Sequence, residues 1–252
     1  MSQEWSADGI VLGLVDYGDA DRVVTFFTRE RGRIPAFAAG ARKSKRRFAG
    51  ALEPFTRLQL RLKPGRGELD FLESCQVRDG HAGLRDDLGR IGHAGHAAEL
   101  CRELCREREP HVELFDLLAG YLAALSGGPA RPEDLLAFEL LALRHVGVEP
   151  RFGDCALCGA ALPAGPALCD PAHGGVICGA CVGQAPRDAF HAAPQTLAAA
   201  RLLQQEGPFA GVSIEATRGR AQVRELVRRF THHQLGRRPR SLDFLDQLGI
   251  EG

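Results

Sequence analysis

Lysine is almost missing from this 252-residue chain: of its 32 Lys and Arg residues, only Lys43, Lys45 and Lys63 are lysines. A GC-rich coding bias accounts for the preference, since alanine and glycine are abundant too. The scarcity still excludes chemistry. None of the three lysines follows a glycine, so there is no GxxxxGK phosphate loop. None has an acid two residues before it, which removes a common nuclease signature. No histidine is followed by glutamate, so HExxH is absent. Gly211-Val212-Ser213 runs on into Ile214-Glu215, which is no GxSxG nucleophile elbow. These absences favour a binding protein over an enzyme, and one that uses no ATP of its own.

Long apolar runs are lacking as well. The longest, Leu117–Leu125, falls far short of the ~20 residues that span a bilayer. The first residues, MSQEWSADGIVLG, carry Glu4 and Asp8 and no basic segment ahead of their short apolar run, unlike a secretory signal. The expectation is a soluble cytoplasmic protein with no membrane partner.

Net charge is lacking too, but only as a total. The 32 basic residues balance 32 acidic ones, yet residues 29–66 hold 12 basic and 2 acidic side chains. Five of those charges fall in six positions: Arg42, Lys43, Lys45, Arg46 and Arg47. Residues 81–150, by contrast, hold 7 basic and 12 acidic. One basic face on an otherwise neutral protein points to a polyanionic partner. A second cluster gathers eight arginines within 218–240, with Glu225 as the one acid. There Arg224 and Arg228 stand four apart on one helical face. An exposed helix face explains that cluster equally well.

Hydrophobic periodicity divides the chain into four segments. Residues 1–80 read as strands: GIVLGLVDYG, DRVVTFFTR, IPAFAAGA, FTRLQLRLK and ELDFLESCQV. Leu58, Leu60 and Leu62 alternate with Arg57, Gln59, Arg61 and Lys63, which puts leucine on a core face and the basic residues on a wet one. In the last strand Leu69, Phe71, Cys75 and Val77 are expected inside, with Glu73 breaking the pattern. The turn Pro64–Gly67 joins these two strands and carries Arg66. Five strands in this length suggest a small closed barrel of the OB-fold type, which binds single strands in a basic groove with stacking aromatics. Phe37, Phe48 and Phe55 flank the basic run, and each is more readily read as core.

Residues 81–150 read as a helical bundle, ending in a helix that opens at Pro132-Glu133-Asp134 and closes on Gly147. Residues 187–252 read as a C-terminal helical segment over about 194–206 and 221–236, packing with 81–150. Residues 151–186 form an insertion marked by cysteines. Cys155-Ala-Leu-Cys158 and Cys178-Gly-Ala-Cys181 are two CxxC pairs at zinc-ribbon spacing. Each pair can present two thiolates to one ion, and two pairs complete a tetrahedron. Gly159 and Gly179 supply permissive backbone after the second and third cysteines. The intervening sequence is too rich in Gly, Pro and Ala to build its own core, so one structural Zn2+ per chain is expected to hold it together. Disulfides or free thiols are the competing readings, and a reducing compartment disfavours the first. Four cysteines leave no open position for hydrolytic chemistry. Cys169 and His173 are spare ligands, and Cys75, Cys101 and Cys105 read as packing residues.

Taken together, the motifs resemble the RecO family of bacterial recombination mediators. GIVLGLVDYGDADRVVTFFTRERGRIPAFAAGARKSKRRFAGALEPF and LKPGRGELDFLES are similar to its N-terminal barrel. FELLALRHVGVEPRFGDCALCG, GGVICGAC and HHQLGRRPRSLDFL are similar to its C-terminal signatures. The basic loop here is denser in charge than the family needs. The resemblance implies an α+β multidomain protein: a five-stranded OB-fold barrel, a helical domain and a four-cysteine zinc-knuckle insertion. It also implies binding of single- and double-stranded DNA and annealing of complementary strands. The implied partners are RecR, single-strand-binding protein and, indirectly, RecA. An RNA- or ribosome-associated barrel with a zinc ribbon is the alternative, which the end-to-end match disfavours.

Overall fold

In the computed structural model, the chain divides into two compact units, 1–129 and 130–252. The structure describes residues 4–44, 47–48, 50–65, 67, 69–162, 165, 167–184, 188–214 and 217–250.

The first unit is built on five strands: β1 (Trp5–Tyr17), β2 (Asp21–Thr28), β3 (Gly32–Ala38), β4 (Arg57–Lys63) and β5 (Asp70–Asp79). They close into a barrel in the order β1-β2-β3-β5-β4. Every neighbouring pair is antiparallel except β3 and β5. This is the OB-fold, and closure leaves no free edge. The alternation in β4 holds: Leu58, Leu60 and Leu62 are fully buried, while Arg57, Gln59, Arg61 and Lys63 face outward. Gly9 on β1 suits this packing, because a Cβ there would stand 2.5 Å from Leu60 Cδ1 and force that buried side chain to shift. Leu60→Ala would leave a cavity at the barrel's centre and is expected to cost about 2–5 kcal/mol, read as a fall in the denaturation midpoint at constant slope.

The expected face of β5 is corrected. Leu72 points into the core, whereas Phe71 and Val77 are exposed. For Phe71 the cause is a bulge: Leu62 pairs with Leu72, but Arg61 pairs with Ser74, so Glu73 is an extra residue that resets the alternation. Val77 pairs with inward Leu58 beyond the bulge and is exposed nonetheless, near the end of the strand. Cys75 packs half-buried against the core beyond it.

A 3-10 turn (Ala82–Asp86) leads into α1 (Leu88–Leu104) and α2 (Val112–Gly127). The Asp87 carboxylate caps α1 by accepting from the Arg90 amide at 2.9 Å. The helices lie against one side of the barrel. Phe115 meets Phe27 edge-on at 5.7 Å, and Asp116 accepts two bonds from Arg29, both at 2.9 Å. Cys101 and Cys105 are buried, and burial pushes the Cys105 thiol up to about 12, as suits inert packing residues.

The second unit combines α3 (Pro132–His145), α4 (Pro194–Glu206), α5 (Thr217–Leu235) and α6 (Arg240–Gln247) with a four-stranded sheet. Glu133 and Asp134 in the first turn of α3, and Arg144 and His145 in the last, complement its dipole. α3 packs on α4 and α5. α5 presents Val223, Leu226, Val227 and Phe230 inward, a spacing of three and four residues. The sheet order is β6 (Arg151–Cys155), β8 (Gly175–Ile177), β7 (Ala167–Asp170), β9 (Phe190–Ala192).

Candidate nucleic-acid interface and metal centre

The basic run leaves the end of β3 and is fixed to the barrel on both sides. Ala41 and Phe48, which bracket it, both belong to the barrel core. The Ser44 hydroxyl accepts from the amides of Arg47 at 3.0 Å and Phe48 at 3.2 Å. Arg42 reaches across to the β1–β2 turn, where its guanidinium donates to the Gly18 carbonyl at 2.9 Å and pairs with Asp16 at 3.4 Å. Arg47 lies over the Phe48 ring at 4.4 Å and donates to the Ala39 carbonyl. Arg42, Lys43 and Arg47 are exposed. Arg42, Lys43 and Arg47 therefore form a charged crest on a packed turn. Lys45, Arg46 and Arg66 lie outside the described residues.

The outward basic residues of β4 meet acids. Arg57 is half-buried in a bidentate pair with Asp8, at 2.6 and 3.1 Å, and faces Phe115 of α2. The Asp8 bond holds the Arg57 guanidinium above its usual value, against the effect of burial. Arg61 pairs with Glu4 at 3.1 Å, and Lys63 with Glu4 at 2.9 Å and with Glu73. Of the three aromatics flanking the run, Phe48 is core and Phe55 is half-buried. Phe37 instead stands on the outer face between Tyr17, which the sequence pattern does not mark, and Phe71, which that pattern places inside.

In the second cluster, acids of α5 and α6 answer the arginines. Arg228 pairs with Asp246 at 3.5 Å, and Arg238 with Asp243 at 2.9 Å and with Asp246. Arg229 pairs with Glu225 at 2.7 Å. Arg224 lies half-buried on α5 beside them.

The four cysteines converge. Cys155 ends β6, Cys178 follows β8, and the sulfurs of Cys155, Cys158, Cys178 and Cys181 all lie within 4.8 Å of one another. Cys158 and Cys178 stand 3.7 Å apart. Sulfurs bound at 2.3 Å on the corners of a tetrahedron are about 3.8 Å apart, so the donor set fits a thiolate-bound metal ion. The first knuckle is a tight turn. The Gly159 amide donates to the Cys155 carbonyl at 2.8 Å, and Gly159 takes a φ of 71°, where a side chain would be strained. Gly179 is not in that region. Amide N–H groups of Cys178 and Cys158 point at Cys155 Sγ and pull its thiol down to about 6, favouring the thiolate that a metal requires. The spare ligands stand apart: Cys169 is buried, with its thiol pushed up to about 12, and His173 pairs with Asp170.

Comparison with known proteins decides the family. The family model "Recombination protein O N terminal" matches residues 1–81, and "Recombination protein O C terminal" matches residues 85–243. The chain belongs to the RecO family. Among curated RecO sequences, the DNA repair protein RecO of Anaeromyxobacter dehalogenans (strain 2CP-C) is 50% identical over 244 residues, 96% of this chain and 95% of the relative. That of Myxococcus xanthus (strain DK1622) is 47% identical over 249 residues, 99% of this chain and 100% of its own length. That of Pelobacter propionicus is 37% identical over 242 residues, 96% of each. The RecO N-terminal match covers the whole barrel and the basic crest; the C-terminal match covers the cysteine cluster. Among the described residues, no helix is long and apolar enough to cross a membrane.

Proposed function

We propose that this chain is a DNA-repair mediator that binds single- and double-stranded DNA and anneals complementary strands without ATP. With RecR, it would help load RecA onto DNA coated by single-strand-binding protein. The observation that carries this reading is the crest, where Arg42, Lys43 and Arg47 stand exposed on a turn held to the barrel at both ends. Two complementary strands repel each other through their phosphates. A protein that supplies cations to both lowers that repulsion and lets pairing proceed. No nucleophile or bound nucleotide is needed for that step, and none of the side chains assigned here has a catalytic role. It places the protein in the cytoplasm, at the nucleoid.

Within this reading the phosphate contacts come first from Arg42, Lys43, Lys45, Arg46 and Arg47, with Arg61, Lys63 and Arg66 extending the surface. Arg57 is the weakest candidate, being held by Asp8. Arg224 and Arg228 form a secondary surface. One Zn2+ ion on Cys155, Cys158, Cys178 and Cys181 would act as a structural cross-link.

The test is an annealing assay with the purified chain, two complementary oligomers and no nucleotide. The expected result is a rate well above spontaneous annealing that falls as salt rises. A rate equal to the spontaneous one at low salt would overturn the reading. The partner is checked separately: RecR should co-purify with the chain at low and moderate salt, and a clean failure at both would remove it.

A further inference from the structure

Four outward residues on adjacent strands form a row across the barrel. Val15 pairs with Val23, Val23 with Phe37, and Phe37 with Phe71. Their strand neighbours Val24, Ala36 and Leu72 point into the core. The row therefore lies on the face where a barrel strand ordinarily carries polar side chains. Tyr17, two residues beyond Val15, joins it: its ring centroid lies 5.7 Å from Phe37, and Phe37 lies 5.8 Å from Phe71. Val15, Tyr17 and Phe71 are 69%, 61% and 46% exposed. Both ring contacts are edge-to-face, at 83° and 82°. Such a contact covers at most one face of a ring. Tyr17 and Phe71, with Phe37 between them, each keep at least one face that Phe37 does not cover.

The charge around this apolar row is lopsided. At the Tyr17 end stand Arg42, bonded to the carbonyl of the next residue, Gly18, and exposed Lys43. Asp16 there is shared by Arg22 and Arg42. At the other end Lys63 lies opposite Phe71, but Glu4 and Glu73 hold it. Cations beside uncovered rings suit a ligand that is both anionic and flat-faced.

We propose that Tyr17, Phe37 and Phe71 form a stacking platform for the unpaired bases of a single strand, whose phosphates are held by the crest at the Tyr17 end. The inference rests on the DNA-binding reading above and adds what the crest cannot supply. Phosphate contacts do not favour a single strand over a duplex, whereas ring stacking needs bases released from pairing. The platform would thus favour single strands in a sequence-tolerant way.

The test compares a thymidine oligomer of about 16 nucleotides with an abasic oligomer of equal length and with duplex DNA, by fluorescence anisotropy. The intact chain should bind thymidine oligomer at least about tenfold more tightly than abasic oligomer. Tyr17→Ala and Phe71→Ala should each weaken thymidine binding roughly tenfold, with abasic and duplex binding and the salt slope unchanged. Tyr17→Phe and Phe71→Tyr should restore binding. Equal affinity of the intact chain for thymidine and abasic oligomers would overturn the platform, with no variant needed. So would alanine variants that lose abasic and thymidine binding alike, or that capture less of a protein partner while binding DNA normally. An intact chain that binds none of the three probes would instead overturn the parent reading, and the platform with it.

Discussion

Cys155→Ala is expected to empty the metal centre and unravel the sheet around it while the barrel stays folded. Cys155 is fully buried, and amides from both knuckles converge on its sulfur. The cluster's apolar content is small: Ile177 is buried there, with Leu157 and Leu162 half-buried beside it. At about 25 cal/mol per Å2 of apolar surface, three such side chains contribute only a few kcal/mol. A structural Zn2+ contributes about 10–16 kcal/mol in small zinc-dependent folds at neutral pH. The metal, on this reading, outweighs the apolar packing of the cysteine cluster itself. Elemental analysis should find one zinc per intact chain and none in the variant. Hydrogen exchange should rise across β6, β7 and β8 and stay unchanged in β1–β5, which belong to the other compact unit. Acid should act in the same direction, since protons compete with the metal for thiolates and its affinity falls as pH falls. Zinc-free protein with full protection of β6–β8 would sink the assignment.

How far these features were legible in the sequence varies with the physics behind each. The CxxC pairs were readable because ligand spacing is a local constraint. β4 was readable because nothing interrupts its period of two. β5 was misread because the bulge at Glu73 is a property of the pair: only the register with Arg61 and Leu62 reveals it. That same slip hid Phe71, and with it the aromatic row. The strands β6–β9 have three to five residues each, too few for a period to emerge. α6 was missed for a similar reason. Its eight residues follow Pro239, at the end of a basic stretch that draws attention to charge. α1 buries His93, His96 and several alanines while Leu88 is largely exposed, so its apolar pattern is weak. The arginines of 218–240 looked unanswered because a count along the chain cannot see Asp243 and Asp246 folding back, or Glu133 standing 3.8 Å from Arg220. Arg57 is the same case in miniature: its outward direction was right, but Asp8 arrives from another strand.

Replacing Arg42, Lys43, Lys45, Arg46 and Arg47 together with glutamine is expected to flatten the salt dependence of single-strand binding. Each phosphate contact to a single strand contributes roughly −0.7 to the slope of log affinity against log salt. If the crest supplies about three contacts, the slope should fall by about 2 units. Proteins that bind alike at 1 M salt would then differ roughly fifty-fold at 0.15 M. The loss should be similar for every sequence, because phosphate contacts position a strand and do not read it. Annealing should fall with it. Folding should be largely spared. Ala41 and Phe48 hold the turn from below, glutamine can still donate a hydrogen bond, and the Arg42–Asp16 pair is a surface pair worth about 1 kcal/mol or less. Arg228→Gln is the comparison: an arginine of the secondary surface, already turned toward Asp246, should change the slope by no more than one contact, about 0.7 unit. An unchanged slope in the crest variant would mean that those five charges are merely solvated. The arginines of α5 would then take their place, and a changed slope in Arg228→Gln would locate the interface there.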